Sequence, residues 1–341
     1  MTKVLNIAYV GFGKSTNRYH IPYVLTRPDQ FHIARVIVHH LGGRPLEEAA
    51  LKKAQGTIFS DDITDALADP EIDLIDIVTP FASHYSLAKA ALEAGKNVLC
   101  DKPLVATGDE ARELVDLANE KHLFFMPFQN RRFDSDFLTV KKVLEGGYLG
   151  NLLDITVNMD HYRPNDITKG GPYDGAWYGH GVHLVDQMVS LFGAPQKVYY
   201  DIRSSRDAKA ADDYFLVNLL YEGFRATIAA SETSVIPHPK WILYGDRGTF
   251  IKETVDQQEN DLKLNIMPGS PGFGEDSPFE FGRLVYMNQN GDRIEKAIPT
   301  VVGDYARVYD SVYETLVNQA PKLVSDSELL SVLEILEAGI A

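Results

Sequence analysis

From Lys3 to about Met126, short apolar runs alternate with stretches of helical period. Val4–Val10, His32–Val38, Thr57–Phe59, Leu74–Val78, Asn97–Cys100 and Phe124–Phe128 read as strands. Thr16–Leu25, Pro45–Ala54, Ile63–Ala68, His84–Ala94 and Gly108–Lys121 read as the helices between them. Leu74–Val78 is nearly all apolar, as a strand covered on both faces should be. Pro22 should kink or shift the first helix, and Gly95 should end the fourth. Strands alternating with helices imply βαβ units, and hence a parallel sheet with right-handed crossovers.

The pattern changes near 126–130. A helix over Phe137–Leu144 stops at Gly146-Gly147, and strand-like segments then dominate: Leu153–Asp160, Lys197–Arg203, Phe215–Tyr221, Arg225–Ser231 and Trp241–Tyr244. Gly181–Phe192 reads as one interrupting helix. Tyr221–Phe224 and Asn288–Asp292 read as hairpin turns. Residues 253–282, rich in Gly, Pro and acid, read as a long excursion, and helices over Tyr305–Gln319 and Ser327–Ala338 follow. The expected fold class is α/β: a doubly wound parallel sheet over 1–126, then an α+β domain over 127–341 with a mostly antiparallel sheet.

Composition narrows the function. The chain has 341 residues, 45% hydrophobic, enough for about two domains with substantial cores. A formal charge of −15 argues against nucleic acid or an anionic membrane as partner, since both select a basic face. A phosphorylated cofactor stays compatible, because backbone N–H groups at one helix start bind pyrophosphate whatever the net charge. The single cysteine, Cys100, excludes an intrachain disulfide, suits a reducing cytoplasm, and reads as a small buried apolar residue near a strand end. No signal-peptide pattern or membrane-spanning apolar run is seen.

Chemistry concentrates at the carboxyl ends of the first strands, where an open parallel sheet binds ligands. Gly11-Phe12-Gly13-Lys14-Ser15 follows the first strand: the first glycine permits a tight turn, and the second lets the backbone approach a pyrophosphate. Thr16 stands where the fingerprint has its third glycine. Ala8 excludes a P-loop reading, which requires a glycine there. After the second strand, Val38-His39-His40 lacks the acid that would bind NAD ribose hydroxyls. His39, His40 and Arg44 suit a 2′-phosphate instead, so NADP is expected over NAD. Lys102, just past the strand Asn97–Cys100 and stiffened by Pro103, is the strongest candidate for polarising a reacting oxygen and moving its proton. His183, in the first turn of the helix after Gly179, is the second. His180, His183 and Asp186 step three residues at a time and diverge around a helix, so no metal site is assigned to them.

Taken together these residues resemble the Gfo/Idh/MocA oxidoreductases. The resemblance rests on Gly11-Phe12-Gly13, Thr79-Pro80, His84, Ala90–Lys96, Val98-Leu99, Asp101-Lys102-Pro103 and Gly245–Gly248. Asn130–Asp134 and Tyr162-Arg163-Pro164 further resemble the YhhX-like branch. The resemblance implies a Rossmann domain and a second domain with a large open sheet often used for oligomer contacts. It also implies NAD(P)-dependent oxidation or reduction of sugars, cyclitols or related polyhydroxylated compounds, with the family's lysine at Lys102 and its histidine at His183. Thr79, Pro80, His84 and Asp101 join the expected cofactor residues; Arg131, Tyr162, Arg163, Tyr178 and His183 are the expected substrate residues.

Three departures stand out: the family's catalytic aspartate falls on Gly179, Asp101 replaces Glu, and Phe81 replaces a common Asn. Lys102, Tyr162, Tyr178 or Asp174 are the candidates to compensate for the first. The expected activity is a cytoplasmic, homo-oligomeric dehydrogenase or reductase of a small-molecule substrate. A nucleotide-binding sensor without turnover, and a cofactor-assisted lyase or glycosidase with no net redox, are the alternatives.

Overall fold

The computed structural model describes residues 3–340, which divide into two compact units. The first runs to Gln129 and also takes Met267–Gly269 and Tyr305–Leu333. Its sheet contains β1 (Leu5–Val10), β2 (Phe31–Ile37), β3 (Ile58–Ser60), β4 (Leu74–Ile77), β5 (Asn97–Cys100) and β6 (Phe125–Pro127). All neighbours are parallel, in the order β3-β2-β1-β4-β5-β6, so the winding reverses between β1 and β4. That switch point is where a doubly wound sheet opens a ligand crevice at its carboxyl edge.

The central strands are buried on both faces. Ile7, Leu74, Ile75, Ile77, Val98 and Leu99 have no exposed surface. The helix Gly108–Glu120 starts with a capping box, in which Thr107 accepts from the Glu110 N–H while Glu110 reaches back to the Thr107 N–H. Gly95, at φ +79°, follows the helix His84–Glu93.

The sequence pattern groups Tyr305–Gln319 with the second domain, yet the helix Ala306–Asn318 belongs to the first unit. Its apolar stripe is aromatic: Tyr309 and Tyr313 both pack edge-on against Phe31 at 5.8 Å. Buried tyrosines need partners for their hydroxyls, and here Tyr313 donates to the Lys3 carbonyl and Tyr309 to Asp76. Periodicity reveals such a stripe but not which sheet it covers.

The second unit contains β7 (Leu152–Asn158), β8 (Lys197–Arg203), β9 (Tyr214–Leu220), β10 (Arg225–Ser231), β11 (Trp241–Gly245), β12 (Gly248–Lys252), β13 (Gly282–Met287) and β14 (Arg293–Ile298). The order is β14-β13-β12-β11-β7-β10-β9-β8, antiparallel except for β7 beside β10. One face is core: Ile155, Val157, Phe215, Val217, Leu219, Ile228, Trp241, Leu243, Phe250 and Leu284 are fully buried there.

The hairpin turn expected over Asn288–Asp292 joins β13 to β14, but strands β12, β13 and β14 themselves are not named by the sequence reading, for physical reasons. Gly248 and Gly282 begin β12 and β13, where glycine normally signals a turn. At Gly282 an added Cβ would lie 2.3 Å from the Phe250 ring, so close packing is what selects it. β14, Arg-Ile-Glu-Lys-Ala-Ile, is a charged edge strand held by the cross-strand Arg283–Glu295 pair at 2.7 Å. Inside the excursion after β12 lies a short helix, Gln257–Lys263, capped by Asp256. Among the described residues no helix is long and apolar enough to cross a membrane.

Candidate active site

In the first unit, the segments after β1, β4 and β5 carry the expected cofactor residues. Gly11 takes φ +104°, and a Cβ there would lie 2.1 Å from the Val78 carbonyl oxygen, so the turn requires glycine. A Cβ on exposed Gly13 would meet nothing within 4 Å. That open side is where a pyrophosphate needs backbone access, so the turn fits the cofactor the sequence implies. Thr16, in place of the third glycine, is fully buried, and its hydroxyl donates to the Gly11 carbonyl at 3.1 Å, closing the turn from within.

Phe12 points into the core and meets Phe59 edge-on at 5.2 Å, which makes it a packing residue of the turn. Lys14 is exposed. Past β2, exposed His39 and His40 stack at 5.6 Å, and Arg44 pairs with Glu47 at 3.1 Å.

Asp101 and Lys102 leave β5 together. Asp101 Oδ1 accepts the Lys102 backbone N–H at 2.8 Å, and Oδ2 accepts the Ser15 hydroxyl at 2.8 Å. The Asp101 carboxylate thereby ties the lysine's backbone to the glycine turn 86 residues away. The Lys102–Pro103 peptide is cis. Buried His84 braces the same edge: its ring nitrogens lie 2.8 Å from the Pro103 carbonyl oxygen and 2.9 Å from that of Thr79. The Ser83 hydroxyl donates to Thr79 Oγ1 at 2.8 Å, and Pro80 is exposed at the rim.

Beneath Asp101 lies a group the sequence reading missed. His20 is fully buried and stacks on Phe128 at 4.0 Å. Its Nδ1 lies 3.2 Å from Asp76 and 2.8 Å from the Tyr309 hydroxyl, and its Nε2 lies 3.8 Å from Asp101. Burial alone would lower the imidazole's proton affinity. The Asp76 charge and then Asp101 outweigh burial and push it up to about 9. Asp101 shows the converse: burial would raise it, but His20, then Lys102 and the Ser15 hydroxyl, hold it down at about 2. A buried imidazolium between two carboxylates thus underpins the Asp101–Lys102 step. Asp76 sits mid-strand in β4 and His20 in a π-type turn, so neither belongs to a recognisable motif. The one available signal was an acid inside an otherwise apolar central strand, which has to be paired. Cys100 is buried, and burial pushes its thiol up, away from nucleophile chemistry.

In the second unit, His183 is buried in the first turn of the helix Val182–Phe192, which continues the π-type turn Trp177–Gly181. One turn on, Asp186 accepts two bonds from buried Arg132, Nε to Oδ2 at 2.9 Å and Nη2 to Oδ1 at 2.8 Å, so it is a structural ion-pair partner. Arg131 lies between Asp134 at 3.1 Å and Glu259 at 3.0 Å. Tyr178 is fully buried and meets Tyr173 edge-on at 5.1 Å. Tyr162 is 57% exposed and bridges to Thr233, and Arg163 reaches Glu232 at 3.3 Å. Glu232 also accepts from His180 at 2.8 Å. At Gly179 an added Cβ would meet nothing within 4 Å, so the turn leaves open space where the resemblance expects aspartate.

Comparison with known proteins decides the family. Residues 5–128 match the NAD-binding Rossmann fold of the Gfo/Idh/MocA oxidoreductases, and residues 141–341 match that family's C-terminal alpha/beta domain. The chain belongs to the Gfo/Idh/MocA oxidoreductase family.

Similar members include the uncharacterized oxidoreductase YhhX of Escherichia coli K12, 47% identical over 98% of this chain and 96% of that one. The crystal structure of the probable oxidoreductase YhhX superposes with a TM-score of 0.94 at 46% identity, covering 98% of this chain and 96% of that one. The scyllo-inositol 2-dehydrogenase (NADP(+)) IolW of Bacillus subtilis is 29% identical over 98% of this chain and 95% of its own. Like its Gfo/Idh/MocA relatives the protein is a dehydrogenase or reductase, and its Rossmann domain calls for a nicotinamide cofactor.

Proposed function

We propose that the protein exchanges a hydride between NADP and a sugar, cyclitol or related polyhydroxylated carbonyl or alcohol. The observation that carries the reading is the Asp101–Lys102 step, leaving the carboxyl end of β5 and tied by Ser15 to the glycine turn after β1. The nicotinamide supplies the redox chemistry when bound. Gly13 and Ser15 hold its pyrophosphate through backbone N–H groups, while the Gly11 N–H is given to the Ile37 carbonyl at 2.8 Å and its backbone shapes the turn; Thr79 and Pro80 shape the neighbouring rim. Lys102 hydrogen-bonds the reacting oxygen and carries its proton. His183, Tyr162, Arg163, Tyr178 and Arg131, all of the second unit, are the candidate substrate residues.

NADP is favoured because no acid stands directly after β2, Glu47 and Glu48 lying further on, and because His39, His40 and Arg44 offer positive or hydrogen-bonding groups instead. The NADP(+) and scyllo-inositol in the name of the relative IolW point the same way for cofactor and substrate class. We place the protein in the cytoplasm, as a homo-oligomer. The half-exposed sheet face bearing Leu216, Leu220, Ile242 and Tyr244 is the surface for a second copy.

The test is a titration of the purified protein with NADPH and NADH, followed by a panel of polyols and sugars read by nicotinamide absorbance. Tighter NADPH binding and turnover of a polyol support the reading; tighter NADH binding overturns the NADP assignment. Gly179, which leaves the aspartate position without a carboxylate, favours one second reading: a sensor that binds the cofactor without turnover. It predicts tight cofactor binding with no substrate in the panel consumed. Substrate conversion without a net absorbance change would instead identify a lyase or glycosidase.

A further inference from the structure

A second cluster of ligating side chains lies within the second unit, and the argument for it does not rest on hydride transfer. Three segments build it. Past β7 the chain stays extended and pairs with the end of β10: His161 N–H donates to the Ser231 carbonyl and Arg163 N–H to the Glu232 carbonyl, both at 2.8 Å. This register fixes His161 and Glu232 on rigid backbone. His180 comes from the π-type turn, which Asp212 anchors by accepting the Ala176 N–H at its carbonyl and the Trp177 N–H at its carboxylate. One ligand atom from each of His161, His180 and Glu232 lies within 4.8 Å of the others.

The two oxygens of Glu232 face different neighbours. Oε1 lies 2.8 Å from His180 Nε2 and 3.8 Å from His161 Nδ1, whereas Oε2 lies 3.3 Å from Arg163. Arg163 thus orients the carboxylate from behind and leaves Oε1 for the imidazoles, as an outer partner does in metal sites. His161 Nδ1 is buried and makes no hydrogen bond, an expensive state for a polar atom with no ligand to meet. The imidazoles stack at 4.7 Å with 22° between planes. A cavity of about 140 Å³ opens beside His180 and Glu232, lined also by Arg163, by Arg206 paired with Asp213, and by the acids Asp166, Asp174 and Asp212. It has room for water, and its carboxylates offset added positive charge.

We propose that His161, His180 and Glu232 form a three-ligand site for a divalent transition cation of the zinc class, with water in the cavity as the fourth ligand. Two imidazoles and one carboxylate are a donor set zinc accepts tetrahedrally, with one position left open. Magnesium and calcium prefer all-oxygen shells and are disfavoured. The cation takes the place of the hydrogen bond between His180 Nε2 and Glu232 Oε1, and the His180 N–H moves to Nδ1. The His161 ring turns out of the stack so that its Nδ1 lone pair meets the metal.

The test uses the full-length protein, stripped with chelator and titrated calorimetrically with zinc chloride at neutral pH; cobalt(II) serves as a spectroscopic reporter. Expected are one equivalent bound and the visible absorption of tetrahedral cobalt. Glu232→Gln and His161→Asn should each weaken zinc binding by more than about a hundredfold, beyond the loss typical of an outer-shell change. His238→Gln, at an exposed histidine paired with Asp160, should leave it unchanged. Circular dichroism and melting check the fold. Glu232→Gln keeps the side chain's shape, so it decides the matter if His161→Asn destabilises the protein. Absence of saturable uptake at one equivalent overturns the proposal, as does uptake unchanged in Glu232→Gln.

Discussion

Two polar clusters, one in each unit, show different ways of using buried charge. Under the glycine turn, His20 is closed in by Asp76, Asp101, Tyr309 and Phe128, a packed network of which only the Asp101 carboxylate keeps some exposure. In the second unit, Glu232 gathers Arg163, His180 and His161 beside a cavity that admits solvent. The His20 network fixes geometry, and although His20 Nε2 makes no hydrogen bond, it faces the Asp101 carboxylate at 3.8 Å inside the packed core and needs no ligand. A cluster with an unbonded buried nitrogen and an adjoining void is incomplete without one. The first cluster accordingly reads as the foundation of the Asp101–Lys102 step, and the second as a binding site in its own right.

The sharpest way to break this reading is at the group the closed network supports. Lys102→Ala should lower kcat/KM by about 10²–10⁴-fold, the usual scale for a group that handles the reacting proton, while fluorescence titration shows the cofactor still bound. A near-normal kcat would remove the lysine from the mechanism and leave the His20 network without a functional reason.

The network itself comes next. His20→Gln keeps a hydrogen-bonding side chain but removes the charge, leaving Asp76 and Asp101 facing each other across a dry site. Breaking a buried pair in this way costs about 3–5 kcal/mol, to be read by urea denaturation. The pH dependence gives the sign independently. His20 is raised from 6.5 to about 9 in the folded protein. Its contribution is therefore complete below pH 6.5 and is lost as pH rises through 9, on the order of 3 kcal/mol. Asp101, held at about 2, contributes above its ordinary 3.8 and loses that contribution as pH falls through 2. Wild-type stability should fall between pH 6.5 and 9, and the His20→Gln variant should be flat there. Parallel curves would show that the imidazole is not charged in the fold.

The glycine turn separates fold from ligand within two residues. Gly11→Ala places a Cβ 2.1 Å from the Val78 carbonyl oxygen at a positive φ, so about 2–3 kcal/mol of stability should go with it. Gly13→Ala meets open space, so its melting temperature should stay near wild type while cofactor affinity falls about tenfold. Equal loss of stability in both would mean that Gly13 is structural too.

What the sequence discloses follows the same division. The parallel sheet was legible because its strands are continuous apolar runs, and Gly11, Asp101 and Lys102 because they sit in short motifs at strand ends. His20, Asp76 and Tyr309 were not legible, because the contacts that give them meaning span 56 and 289 residues. The same holds for Glu232, which lies one residue beyond β10 and 52 residues from His180. His180 was read with His183 and Asp186 along one helix, whereas the structure gives Asp186 to Arg132 and His180 to Glu232. β12 and β13 begin at Gly248 and Gly282, and the close packing that selects these glycines, against the Tyr148 carbonyl and the Phe250 ring, shows only in three dimensions.

The smallest effect sought is at Arg44, and it bears on cofactor choice alone. Its guanidinium and Glu47 are each about two-fifths exposed, at 38% and 42%, so the pair adds little to stability, about 0–1 kcal/mol after solvent screening. Arg44→Ala should therefore leave the urea midpoint where it was. A 2′-phosphate is a different partner from Glu47: it is a dianion near neutrality, and a charge-assisted hydrogen bond to it is worth about 1.5–3 kcal/mol. The substitution should weaken NADPH by about tenfold or somewhat more and leave NADH unchanged, which parallel fluorescence titrations would show. An equal loss for both cofactors would assign Arg44 to the shape of the loop before the helix Pro45–Gln55. No loss for either would leave His39 and His40 as the groups that face the phosphate.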